Sequence, residues 1–123
     1  MLVRMWAGGA HKGGNSTMAK YLYEAKYSAE AVRALQKAGA ASRVKAIQDM
    51  CATLGGSLES FHFAFGGVDA YVIVDLPDDV SAASAAFAVA ASGTTSVKTV
   101  KLLTVDETDA ALSGSAGYRP PGS

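Results

Sequence analysis

The chain has 123 residues, 11 Lys plus Arg against 11 Asp plus Glu, and half of its residues are hydrophobic. That length supports one compact domain rather than two, and a formal net charge of zero withholds the basic footprint with which nucleic-acid binders neutralise phosphates, so no nucleic-acid partner is expected. The single cysteine, Cys51, has no internal disulfide partner, the two histidines, His11 and His62, give no Cys/His zinc spacing, and no run of about 18 apolar residues offers a membrane helix.

A lone thiol suits a reducing, cytoplasmic setting, and the first residues lack the apolar stretch of a secretion signal. Residues 1–17 carry Gly8, Gly9, Gly13 and Gly14 with no helical or strand period. They are expected to be a disordered tail, either an over-called start ahead of Met18 or residues of cloning origin. From Ala19 to Tyr27 the side chains alternate: Tyr21, Tyr23, Ala25 and Tyr27 fall on one side, Leu22, Glu24 and Lys26 on the other. That is the period of a strand. Ser28 then offers an N-cap for a helix bearing Val32 and Leu35, ended or kinked at Gly39. Helical spacing resumes through Val44, Ile47, Cys51 and Leu54, with Gly55-Gly56 suited to a left-handed C-cap.

A hairpin follows, Ser57 to Phe65 and Val68 to Asp75, with Gly66-Gly67 expected to form a two-residue primed turn, because both central positions of such a turn need positive φ. That register sets Phe65 against Val68, Phe63 against Ala70, Phe61 against Val72 and Glu59 against Val74, an apolar side suited to covering helices. The other side sets Ala64 against Asp69, His62 against Tyr71, Ser60 against Ile73 and Leu58 against Asp75. It is too polar for a dry core. After Pro77, Asp78 or Asp79 caps a slim helix carrying Val80, Ala83, Phe87 and Ala90 toward Gly93. Val97 to Leu103 reads as a fourth strand, and Thr104-Val105-Asp106-Glu107 as the capping box of a short helix through Leu112. Residues 113–123 read as an extended tail.

The order β-α-β-β-α-β plus one helix is that of an α+β, ferredoxin-like domain over residues 18–112, a four-stranded antiparallel sheet with helices on one face. The uncovered face is expected to carry Glu24, Lys26, His62, Tyr71, Thr99 and Lys101 among Leu22, Ile73 and Leu103. Half apolar and half ionisable, such a face predicts a homodimer or a higher even oligomer related by two-fold symmetry. Residues 1–45 hold eight basic and two acidic side chains, residues 46–123 three and nine, a polarity that serves contacts within or between copies.

Leu54-Gly55-Gly56, Phe65-Gly66-Gly67-Val68-Asp69, Asp75-Leu76-Pro77-Asp78-Asp79, Ala91-Ser92-Gly93 and Tyr118-Arg119-Pro120-Pro121-Gly122 together resemble the GYD domain family, from about Met18 to Gly122. Gly66 and Asp69 match the family's Gly-Tyr-Asp signature, and Val68 stands where the family usually has tyrosine. The resemblance implies a small bacterial protein of the dimeric α/β-barrel type, with two sheets packed about a cavity, and implies no particular catalytic activity.

Two functions are open to these residues. A homodimeric binding or regulatory module would have between its sheets either a cavity for a small organic ligand, with Glu24, Lys26, His62, Tyr71 and Lys101 as ligand-binding candidates, or simply an interface. A cofactor-independent oxygenase or isomerase would use His62, oriented by Asp69 and beside Tyr71, to move protons on a small organic substrate. Haem on His62 would need a large apolar pocket beside it, the glycines spell no nucleotide-binding loop, Asp75, Asp78 and Asp79 flank a helix start rather than forming a calcium loop, and no cofactor is expected.

Overall fold

A computed structural model of the chain describes residues 18–122, so the expected tail over residues 1–17 lies outside the described residues. Strand β1 (Ala19–Tyr27) is followed by helices α1 (Ala29–Ala38) and α2 (Ala40–Thr53), strands β2 (Ser57–Phe63) and β3 (Ala70–Leu76), helix α3 (Asp79–Ala91), strand β4 (Thr95–Leu102) and helix α4 (Val105–Ser113). The strands lie in the order β2-β3-β1-β4, every neighbouring pair antiparallel. The domain is thus α+β and ferredoxin-like.

Local chemistry sets the element ends. The Ser28 hydroxyl accepts from the Ala31 amide at 3.2 Å and opens α1, while Gly39, at φ +91°, separates α1 from α2 in a conformation that L side chains resist. Asp78 opens α3 by accepting from the Ser81 amide at 2.9 Å, which holds its carboxyl below the usual range. The capping box of α4 is complete, Thr104 and Glu107 each accepting the other's amide at 3.0 and 2.8 Å.

The core forms where the helix side of the sheet meets α2 and α3. Tyr21, Tyr23 and Ala25 of β1 and Ala70, Val72, Val74 and Leu76 of β3 are buried there with Ile47, Cys51, Ala82 and Ala85. Helices α1 and α4 contribute no buried residue. Val32 is 42% exposed, so the expected α1 stripe only rests on the domain's margin.

Five expectations need correcting. Strands β2 and β3 end at Phe63 and begin at Ala70, and of the two glycines between them only Gly66 has positive φ, +133°, so Gly66-Gly67 is not a two-residue primed turn. The register holds for Phe63 with Ala70, Phe61 with Val72, His62 with Tyr71 and Ser60 with Ile73, then slips at a bulge. Leu58 rather than Glu59 faces Val74, and Ser57 faces Asp75. Phe65 is fully exposed and covers no helix. In α3, Val80 and Phe87 are 78% and 73% exposed, and Ala82 and Ala85 are the residues buried. In β4, Thr99 pairs with Tyr23 and Lys101 with Tyr21, which puts both on the helix side. Lys98, Val100 and Leu102 take the uncovered face, and Leu103 lies beyond the strand.

Candidate functional site

Strand alternation builds the uncovered face in rows. One row crosses the sheet as Ser60, Ile73, Leu22 and Val100, apolar through its middle, and the next as His62, Tyr71, Glu24 and Lys98. On the other side of the apolar row, the Lys20 ammonium donates to Asp75 at 2.7 Å and to Glu59. These hydrogen bonds, Asp75 first, hold its pKa above the ordinary lysine value. The bulge turns Glu59 into this ion cluster. An apolar belt is therefore flanked by charge on both sides.

Of the expected site residues, His62, Tyr71, Glu24 and Lys26 do share this face. Among the described residues no hydrogen bond joins the side chains of His62, Tyr71 and Asp69. The Asp69 carboxylate instead accepts from the Tyr27 amide at 2.8 Å, while the Asp69 amide donates to the Ala25 carbonyl at 2.9 Å. Asp69 thus ties the loop carrying Gly66 to the end of β1. Lys26 reaches the same loop, donating to the Gly67 carbonyl at 3.3 Å. Lys101 is across the sheet from all of these. Its ammonium donates at 3.1 Å to the Asp79 oxygen that also accepts from the Tyr21 hydroxyl at 2.6 Å. Those bonds, the tyrosine's first, hold the Asp79 carboxyl below its usual range, and burial pushes the Tyr21 hydroxyl well above its own.

The second feature is a cleft between the sheet and the helices. Tyr23 and Tyr27 of β1, Phe61 of β2, Val72 and Val74 of β3 and Val97 of β4 line its floor, Ile47 and Met50 of α2 one wall, and Ala85, Ala86 and Val89 of α3 the other. It exists because α3 is nearly all alanine where it faces the sheet: α2 and α3 each rest on strands and pack little against each other. The cleft holds about 430 Å³ of empty space counted out into its mouth, of which about 30 Å³ admits the centre of a water molecule. It is a slot rather than a chamber. Inside it the Tyr23 hydroxyl donates to the Ala82 carbonyl at 2.7 Å, and burial, with Cys51 nearby, pushes its pKa up to about 12. It stays a phenol at physiological pH.

Arg43 is the one charged residue on the lining. Its guanidinium carbon stands 5.8 Å from the centre of the Tyr27 ring, a cation–π distance. Its Nε is buried without a hydrogen-bond partner, and among the described residues the side chain has no carboxylate partner. An unmade hydrogen bond on a buried group costs about 1–3 kcal/mol, so this donor is a place where an acceptor would be rewarded. Sequence reasoning passed over Arg43. The usable signal was its position one helical turn before Ile47 and two before Cys51, which sets a cation on an otherwise apolar stripe.

Among the described residues no cluster of three His, Cys, Asp or Glu side chains offers a metal site, and no helix is long and apolar enough to cross a membrane. In comparison with known proteins, the family model of the GYD domain matches residues 21–112. That span contains β1 from Tyr21 onward, the other three strands, the cleft and Arg43. No curated protein and no solved structure matches the chain.

Proposed function

The chain belongs to the GYD domain family, and from that membership and the cleft we propose that it is a small-molecule-binding module that works as a homodimer. The observation that carries the reading is the apolar slot between the sheet and α2 and α3, with an unsatisfied polar group on its wall. Ligand sites are concave, mostly apolar and supplied with a few placed polar groups. The sequence pointed to a cavity between two sheets; the slot within each protomer is the better receptacle. The uncovered face then serves association, since Leu22, Ile73 and Val100 form a belt that water disfavours. A two-fold axis laid along that belt would set the Lys20 cluster of one copy against the Glu24 and Lys98 row of the other.

Asp69 supports this reading over the enzymatic one. Its carboxylate accepts from the Tyr27 amide, so Asp69 does not orient His62, which stands exposed beside Tyr71. The buried free thiol of Cys51, whose pKa burial raises, fits a reducing cytoplasm.

Native mass spectrometry of protein purified from the cells that make it tests the proposal. The expected result is a reproducible extra mass of one small molecule per protomer, lost in Ala86→Trp, whose indole would fill the slot. A wild-type protein that carries no such mass overturns the reading.

A further inference from the structure

Resting on the reading of the slot as a ligand site, we infer that its ligand is a slim apolar carboxylate whose carboxyl group is held by the Arg43 guanidinium. Three features of the slot narrow the chemistry. Its lining includes no Asp or Glu, so an amine or other cationic ligand would find a like charge and no counter-ion. Its one charged group is a guanidinium, permanently protonated, with donors in a planar fork. One of those donors, Nε, is buried and unpartnered. A carboxylate is the anion that one such fork satisfies, two parallel N–H bonds meeting two oxygens, whereas a phosphate monoester presents more charge and more acceptors than this single residue answers.

The Tyr27 ring beside the guanidinium stabilises its charge without using up an N–H donor. The two terminal nitrogens, unlike the buried Nε, remain available to a ligand. Away from Arg43, the apolar tail of the ligand would lie along the methyl groups of Ala85 and Ala86 and over Val72. Only about 30 Å³ admits the centre of a water molecule, so the tail is slender, a short unbranched chain rather than a ring. Any ring would have to spread α2 from α3.

The test titrates hexanoate, and separately its uncharged isostere hexanamide, into the ¹⁵N-labelled full-length protein at neutral pH. The acid is expected to shift the amide resonances of Ala85, Ala86 and Val89 and to bind about tenfold or more tightly than the amide, as a charge-assisted pair requires. Arg43→Gln should erase that preference, and Arg43→Lys, which keeps the charge but loses the fork, should keep only part of it. If the amide binds as well as the acid in wild type, the carboxylate inference fails while the slot stands as a ligand site. If neither compound moves the slot resonances, the inference falls together with the reading of the slot. A preference that survives Arg43→Gln removes Arg43 from the role. The wild-type comparison of acid with amide needs no variant to fold.

Discussion

Gly55 and Gly56 stand side by side after α2, and each must be glycine for its own reason. Gly55 has φ +83°, the left-handed conformation that closes a helix. Gly56 has no such backbone, but a Cβ there would lie 2.0 Å from the Asp75 carbonyl oxygen and 2.8 Å from Leu76 Cδ2. Strand β3 passes against it. Gly56→Ala is accordingly expected to destabilise the fold by about 3 kcal/mol, because the strand backbone must move, and Gly55→Ala by about 1 kcal/mol, the cost of the left-handed conformation alone. Urea unfolding of the two variants checks the difference. The pair was legible in the sequence as the end of a helix; that the second glycine makes room for a strand twenty residues away was not. Asp69 and Lys101 teach the same limit. Their types suggested chemistry, but their partners, a backbone amide of β1 and the first residue of α3, are set by the way distant segments meet.

At the scale of elements, legibility followed side-chain contrast. Strand β1 alternates tyrosine and alanine with charged residues, and its ends and buried side came out of the sequence as the structure has them. Helix α3 has almost no contrast, since alanine suits every face of a helix, and the large residues Val80 and Phe87 drew the expected stripe to the wrong side. In the fold that face is left open and Ala82 and Ala85 are buried. Phe87→Lys is therefore expected to change stability by less than about 0.5 kcal/mol, whereas Ala82→Leu, at a buried position whose carbonyl accepts from the Tyr23 hydroxyl, should cost about 1–3 kcal/mol. Thermal unfolding of both variants would separate the two orientations. The β2–β3 hairpin was readable in its pairing near the loop but not in its bulge, because the slip at Glu59 accompanies an ion cluster with Lys20 on β1. Strand β4 alternates too, yet both of its sides mix charge with apolar residues, so only its pairing with β1 settles which side is covered.

For the whole molecule, the order of elements was enough to reach the ferredoxin-like sheet, because that order leaves few ways to cover one face with two helices. The site was less legible. The sequence drew attention to the uncovered face, where ionisable residues gather, while the slot on the covered side arises from what is missing, the bulk that alanines do not supply between α2 and α3. On the proposed reading the two sides of the sheet divide the work: the helix side would receive a ligand and the uncovered side a second copy. Ile73, in the apolar belt and outside the slot lining, separates these roles. Its replacement by glutamate would bury an unpaired charge in the interface, at a cost of several kcal/mol, without touching the slot. The decisive measurement is native mass spectrometry of wild type and Ile73→Glu at micromolar concentration. A ligand-bearing dimer is expected for wild type, and for Ile73→Glu a monomer that still carries one ligand. A wild-type monomer, or an Ile73→Glu protein that remains dimeric, would contradict the proposed reading.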